Sequence, residues 1–110
     1  MNIATETVGS TTVLGIEGKL DTATAGEADK HIADVLDGGA TRVLLDFTQL
    51  DFISSAGLRT LLLAGKKLKK QGGELCLCSL NETVKDVFDI SGFSALFKVY
   101  ADRDEAIGGE

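Results

Sequence analysis

Arg42 to Phe47 reads Arg-Val-Leu-Leu-Asp-Phe, and its centre, Val43-Leu44-Leu45, is apolar without interruption. A strand with one face in water alternates apolar and polar side chains, because successive residues point to opposite sides. An unbroken apolar run instead suits an inner strand covered on both faces. Glu74 to Cys78 is a second apolar strand. Strands of this kind, separated by segments of helical period, predict an α/β fold with a mostly parallel sheet flanked by helices.

The flanking segments complete the pattern. Ile3 to Val8 and Thr11 to Glu17 are rich in β-formers and meet at Gly9-Ser10, which predicts an antiparallel hairpin closed by a type II′ turn. Gly18-Lys19-Leu20-Asp21 reads as a turn. A first helix is expected from Ala25 to Leu36, opened by a capping box of Thr24 and Glu27 and stopped by Gly38-Gly39. Ala25, Ala28, Ile32, Val35 and Leu36 share its apolar face, which leaves His31 as a solvated residue. A second helix runs to about Lys70 and buries Leu58, Leu61, Leu62, Gly65 and Leu68. Lys66, Lys67, Lys69 and Lys70 read as its wet face, with a docking patch for an acidic partner as the other reading. Gly72-Gly73 ends it.

Ser79 and Glu82 offer a capping box for a third helix, which buries Val84, Val87 and Phe88 and stops at Ser91-Gly92. Phe97 to Tyr100 is a last short strand. Asp102 and Glu105 can start a short helix, and Gly108-Gly109-Glu110 is expected to fray. The order is β-β-α-β-α-β-α-β-(α), with right-handed crossovers. In such sheets function gathers at the carboxyl ends of the strands, which makes Asp21 and the stretch Phe52 to Leu58 expected neighbours.

A chain of 110 residues fits one domain spanning residues 1–110 and can bury a core without disulfides or a metal. Cys76 and Cys78, at i and i+2 on a strand, point the same way and read as buried thiols. The net charge of −6 argues against nucleic-acid binding and against adsorption on an anionic membrane. No apolar run approaches the ~20 residues of a spanning helix, and the N-terminus lacks a signal-peptide pattern. The expected compartment is the cytoplasm.

Leu50 to Arg59, Leu-Asp-Phe-Ile-Ser-Ser-Ala-Gly-Leu-Arg, is the candidate functional stretch. Phe52 and Ile53 are expected to anchor it in the core. Ser54, Ser55, Ala56 and Gly57 are small and leave the backbone open at a helix start. Ser54 suits an N-cap. A helix start also carries unpaired N–H groups and about half a positive charge, so a small hydroxyl there can carry or hold a phosphate. Capping and a functional hydroxyl both remain open at this point.

Catalytic patterns do not fit. A nucleophile elbow needs Gly-x-Ser-x-Gly, but Ile53 stands where the first Gly belongs, and the one His, His31, lies mid-helix. There is no phosphate-binding Gly-Lys-Ser/Thr loop and no Gly-x-Gly-x-x-Gly. The carboxylates are scattered. The reading is not an enzyme, with no catalytic and no metal-binding residues.

The whole set of segments resembles the anti-sigma-factor antagonist family, built on the STAS domain (sulfate transporter and anti-sigma antagonist). Gly18-Lys19-Leu20-Asp21 is similar to its Gly-x-Leu-Asp turn. Val43 to Phe47, followed by Leu50-Asp51-Phe52-Ile53, resembles its inner strand and approach loop. Ser54-Ser55-Ala56-Gly57-Leu58 resembles its phosphorylation loop, commonly Asp-Ser-Ser-Gly-Leu or Asp-Ser-Thr-Gly-Leu. Gly72-Gly73 and Val87 to Gly92 match later signatures. The resemblance places the phosphoacceptor on Ser55. Ser54 stands where an acid is usual, and Ala56 where a second Ser or Thr is usual. It implies a partner-binding surface of Asp21, Ser54, Ala56, Gly57, Leu58 and Arg59.

The resemblance further implies partner switching. The unmodified antagonist binds an anti-sigma factor that is also a serine kinase, releasing a sigma factor. Phosphorylation ends the binding and a serine phosphatase restores it. Mg-ATP belongs to the kinase, so the chain itself needs no cofactor, and a monomer or weak dimer is expected. The alternatives are a STAS regulator of another kinase or phosphatase pathway, and a STAS accessory subunit of a lipid transporter.

Overall fold

The computed structural model describes residues 1–108. The chain runs β1 (Asn2–Val8), β2 (Thr11–Leu20), α1 (Ala25–Asp37), β3 (Arg42–Asp46), β4 (Leu50–Ile53), α2 (Ser55–Lys70), β5 (Glu74–Cys78), α3 (Glu82–Ser91), a 3-10 turn (Phe93–Ala95), β6 (Lys98–Tyr100) and α4 (Arg103–Gly108). This is the expected order with one strand added, β4. Gly108 belongs to α4, while Gly109 and Glu110 of the expected frayed tail lie outside the described residues.

β1 and β2 form the expected antiparallel hairpin, with Val8 paired to Thr11 and a positive φ of 61° at Gly9 only, as a type II′ turn requires. The remaining pairs are parallel, in the order β1-β2-β3-β5-β6. Because each crossover steps the same way across the sheet, right-handed connections put every crossover helix on one face. The core agrees. Val43 and Leu45 of β3 pack with Ile32 of α1, Leu61 and Leu68 of α2, and Val84 and Phe88 of α3. Leu44 faces the other way, against Val13, Cys76, Cys78 and Ala106 of α4. All five residues of β3 are buried, as its unbroken apolar run predicts.

That second face depends on the short α4 being held down. Arg42, itself buried, donates to Thr11 Oγ1 (2.9 Å), the Ala106 carbonyl (2.9 Å) and Glu74 (3.3 Å). Arg103 donates from Nε and Nη2 to Asp46 Oδ2 at 3.1 and 2.9 Å, and from Nη1 to Glu6 at 3.0 Å. Burial opposes a charge on Asp46, but hydrogen bonds from Thr48 and Arg103 outweigh it and hold the carboxyl below its usual range. The two cysteines are free and buried as expected, and burial pushes the Cys78 thiol up to about 11.

Two expected helix starts are corrected. Thr24 sits at the N-cap of α1 but makes no cap bond. Its hydroxyl accepts from the Asp21 N–H (2.9 Å) and donates to the Lys19 carbonyl (2.8 Å), because the turn before the helix competes for it. Ser79 does not cap α3 either. Asn81 does, accepting from the Val84 N–H at 2.8 Å. His31 is not simply solvated, since its Nε2 lies 2.8 Å from Thr5 Oγ1 and ties α1 to β1. In α2 the buried stripe is Leu58, Leu61 and Leu68 with Gly57, Thr60 and Ala64, whereas Leu62 and Gly65 are only half-buried.

Candidate functional site: the start of helix α2

The site is assembled by β4, a strand where the sequence predicts a connection. β4 lies parallel to the distal part of β2, taking up the pairing that β3 leaves at Gly15. Leu50 pairs with Gly18, Phe52 with Lys19 and Ile53 with Leu20. Two steps on β4 therefore match one on β2, and Asp51 is the extra residue of a β-bulge. Regular alternation would point Phe52 inward beside Leu50. The bulge reverses the phase, so Leu50 and Ile53 are buried while Asp51 and Phe52 face out. Phe52 is 39 % exposed and does not anchor the core as expected. Asn81 takes up the carbonyls at the bulge, donating to Leu50 O at 2.9 Å while also capping α3.

The pairing of Leu20 with Ile53 leaves Asp21 and Ser54 as the next residues off two adjacent strand ends. The expected proximity of Asp21 to the Ser54–Ser55 stretch is observed in this register. Asp21 closes an Asx turn, with Oδ1 accepting from the N–H groups of Ala23 (3.0 Å) and Thr24 (3.3 Å). It is half-buried, and its carboxylate is thus partly occupied in shaping the turn.

The two serines are separated by their surroundings. The Ser54 N–H donates to Leu20 O (2.9 Å), and its carbonyl accepts from the Leu58 N–H (2.9 Å). Ser54 occupies the N-cap position in extended conformation, but its hydroxyl makes no cap bond. That oxygen is inaccessible and has no hydrogen-bond partner among the described residues. The expected Ser54 cap is therefore not formed. Ser55 is the first residue of α2 and is exposed. No acidic residue lies in the first turn of α2. The helix start, with its unpaired N–H groups and partial positive charge, has no side-chain cap from Ser54 and no acid in its own first turn; Asp21 follows the adjacent strand end.

Gly57 explains how the helix start can sit so close to the sheet. A Cβ at this position would lie 2.7 Å from Leu20 O and from Ile53 Cγ1. Only a residue without a side chain allows this approach. Gly57 and Leu58 are buried, so they give the site its shape rather than a surface. Ala56 is half-buried and Arg59 exposed, and Arg59 lies four residues from Ser55 on the same helix face. Asp51 and Phe52, which lie in the candidate stretch but outside the partner-binding set that the resemblance implies, complete the exposed surface. The signal that could have found Phe52 is the broken alternation of Leu-Asp-Phe-Ile.

The assembled feature is thus an exposed serine on an uncapped helix start, held by a glycine against two strand ends. A family model for the STAS domain matches residues 2–106. The chain belongs to the STAS domain family. BtrV of Bordetella bronchiseptica, which carries the name of an anti-sigma factor antagonist, is 39% identical over 106 residues, covering 96% of this chain and 91% of the relative. The anti-sigma F factor antagonist of Paenibacillus polymyxa is 28% identical over 99 residues, covering 82% of this chain and 85% of the relative. The solved structure of the anti-sigma factor antagonist SpoIIAA in its unphosphorylated form has a TM-score of 0.82 at 28% identity, covering 96% of this chain and 93% of that one. The phosphorylated form of SpoIIAA, a Bacillus protein, has a TM-score of 0.75 at 27% identity, covering 97% of each chain. No helix among the described residues is long and apolar enough to cross a membrane.

Proposed function

We infer that this chain is an anti-sigma factor antagonist that switches partners through phosphorylation of Ser55. The observation that carries the reading is the contrast between the serines: Ser55 is exposed at the start of α2, and the Ser54 hydroxyl is inaccessible. A kinase can reach the first and not the second. The reading is also supported by relatives named as antagonists and by similarity to a protein solved in both phosphorylated and unphosphorylated forms. The partner is an anti-sigma factor with serine-kinase activity, reversed by a serine phosphatase. The chain acts as a binding module, not an enzyme, and works in the cytoplasm.

The physical logic follows from the site. A phosphate on Ser55 adds about −1.5 to −2 charges. At an uncapped helix start those charges meet free N–H groups and the positive end of the dipole, so the fold tolerates them. Pressed into a partner interface, the same group is costly to desolvate. Asp21, Phe52, Ala56 and Arg59 form the surrounding contact surface, while Ser54, Gly57 and Leu58 set the backbone that presents it. The test is incubation with the cognate kinase and Mg-ATP, followed by peptide mapping. One phosphate on Ser55 is expected. A phosphate on Ser54, or none with an active partner kinase, overturns the assignment.

A further inference from the structure

The lysines at the other end of α2 are not used by the switch. Lys66, Lys67, Lys69 and Lys70 supply four of the eleven basic residues of a chain with net charge −6. Lys67 pairs with Asp37 across the helix pair, at 3.3 Å. Lys66 and Lys69 lie instead along one wall of a groove of about 520 Å³ between α2 and β6. Its floor is apolar, made by Leu62, Leu75 and Phe97. Leu96, 61 % exposed, extends the apolar strip to the rim. Lys98 stands on the opposite wall, where it reaches Glu74 at 3.3 Å and is itself exposed.

Part of the lysine cluster has a structural explanation, since cations favour the last turn of a helix. That explanation does not extend to Lys98, which lies on β6 and pairs with Glu74, or to an apolar floor left open beside Lys66 and Lys69. The arrangement is an apolar stripe with Lys66 and Lys69 on one side and, on the other, Lys98 beside Glu74, whose single carboxylate is shared with Arg42 and leaves that side a net positive charge. Its complement is an apolar ridge with negative charge on both sides, which is an amphipathic helix carrying acidic residues along each flank of its apolar face. A single long-chain carboxylate carries one charge at one end and leaves one wall unmatched.

We propose that the groove between α2 and β6 docks an acidic amphipathic helix of a second protein partner. Lys69 is separated from Ser55 by fourteen helical positions, about 21 Å along α2. The groove shares no lining residue with the switch surface, and it begins at Leu62, seven positions or about 10 Å along α2 from Ser55. A partner held there would stay bound in either phosphorylation state. The proposal does not depend on the assignment of Ser55.

The test is a nuclear magnetic resonance titration of the whole chain with a synthetic helical peptide of roughly fourteen residues, long enough to be helical when capped. The probe carries leucines along one face and glutamates on both flanks; a control carries lysines in place of the glutamates. Saturable shifts are expected at Leu62–Leu75 and Leu96–Lys98, with none at Ser54–Arg59. Lys66→Glu with Lys69→Glu, both at exposed positions, should keep the melting temperature and weaken binding by about tenfold, in line with two or more lost charge pairs. Ser55→Asp should leave binding unchanged. Equal binding of the lysine control, shifts elsewhere, or no saturation up to millimolar peptide overturns the proposal. Saturable shifts of these amides with sodium oleate but not with peptide replace it with a lipid site. Concentration-dependent shifts without any peptide assign the groove to a second copy of the chain.

Discussion

Replacing Ser54 by Ala separates two readings of this position with opposite signs. A working N-cap serine loses about 1 kcal/mol on truncation to Ala. Here the hydroxyl makes no cap bond, and its oxygen is buried without a partner. An unsatisfied buried hydroxyl carries a desolvation penalty of about 1–3 kcal/mol, which the truncation removes. The void left by one oxygen, on the order of 15 Å³, returns only ~0.4 kcal/mol at about 24 cal/mol per Å³. The backbone bonds of Ser54 to Leu20 and Leu58 are unaffected, since they use its N–H and carbonyl. Ser54→Ala should therefore be stabilising by roughly 0.5–2 kcal/mol, which for a domain of this size is a rise of several degrees in Tm. Urea denaturation at two pH values, with thermal melting alongside, measures it. A loss of about 1 kcal/mol would show that the hydroxyl caps α2 in solution and would refute the argument.

Gly57→Ala should destabilise the fold by about 1–3 kcal/mol, measured by urea denaturation, because the Leu20 carbonyl cannot yield to a Cβ and the overlap outweighs the ~1 kcal/mol that Ala gains over Gly in a helix. Asp21→Asn should keep the Asx turn and the stability while weakening kinase binding in calorimetry, whereas Asp21→Ala should also lose roughly 1 kcal/mol of stability; unchanged affinity for both would make Asp21 purely structural. Asp46 has a depressed folded-state pKa, so its stabilisation is fully present above the ordinary Asp value of 3.8 and disappears as pH falls through the lower folded value. Asp46→Asn should accordingly be destabilising by about 1–3 kcal/mol at pH 7, with the penalty shrinking as pH falls through the depressed folded-state value, read from denaturation curves across pH; a penalty independent of pH would contradict the ionic role.

The sheet and three main helices are legible because their signals are local. Val43-Leu44-Leu45 announces a strand buried on both faces, and glycines mark the element ends. What is missed depends on longer-range geometry. β4 is only four residues long, and its bulge at Asp51 breaks the alternation that would mark a strand. The same bulge turns Phe52 outward, against the expectation set by its apolar character. The Ser/Thr-x-x-Glu spacing at Thr24 and Ser79 is present, but Asp21 captures the first hydroxyl and Asn81 takes the second cap. The clamp of Arg103 on Asp46 joins residues 57 apart in sequence, which no local pattern reveals. At the site, the motif resemblance selects Ser55 over Ser54, and the burial of the Ser54 hydroxyl supplies a physical reason for the same choice.

One phosphate on Ser55 should break a complex without breaking the fold. The most direct measurement is the affinity of the anti-sigma factor kinase for the unmodified chain and for the chain phosphorylated at Ser55, by calorimetry, with a melting curve of each form. The phosphorylated form should bind at least about 100-fold more weakly, some 2.7 kcal/mol, because a group of charge about −1.5 to −2 must be desolvated at the interface. The same form should melt no earlier than the unmodified chain, and be favoured by roughly 0.3–1 kcal/mol at low salt. Equal affinities, or a phosphorylated chain that loses binding only because it unfolds, would contradict this.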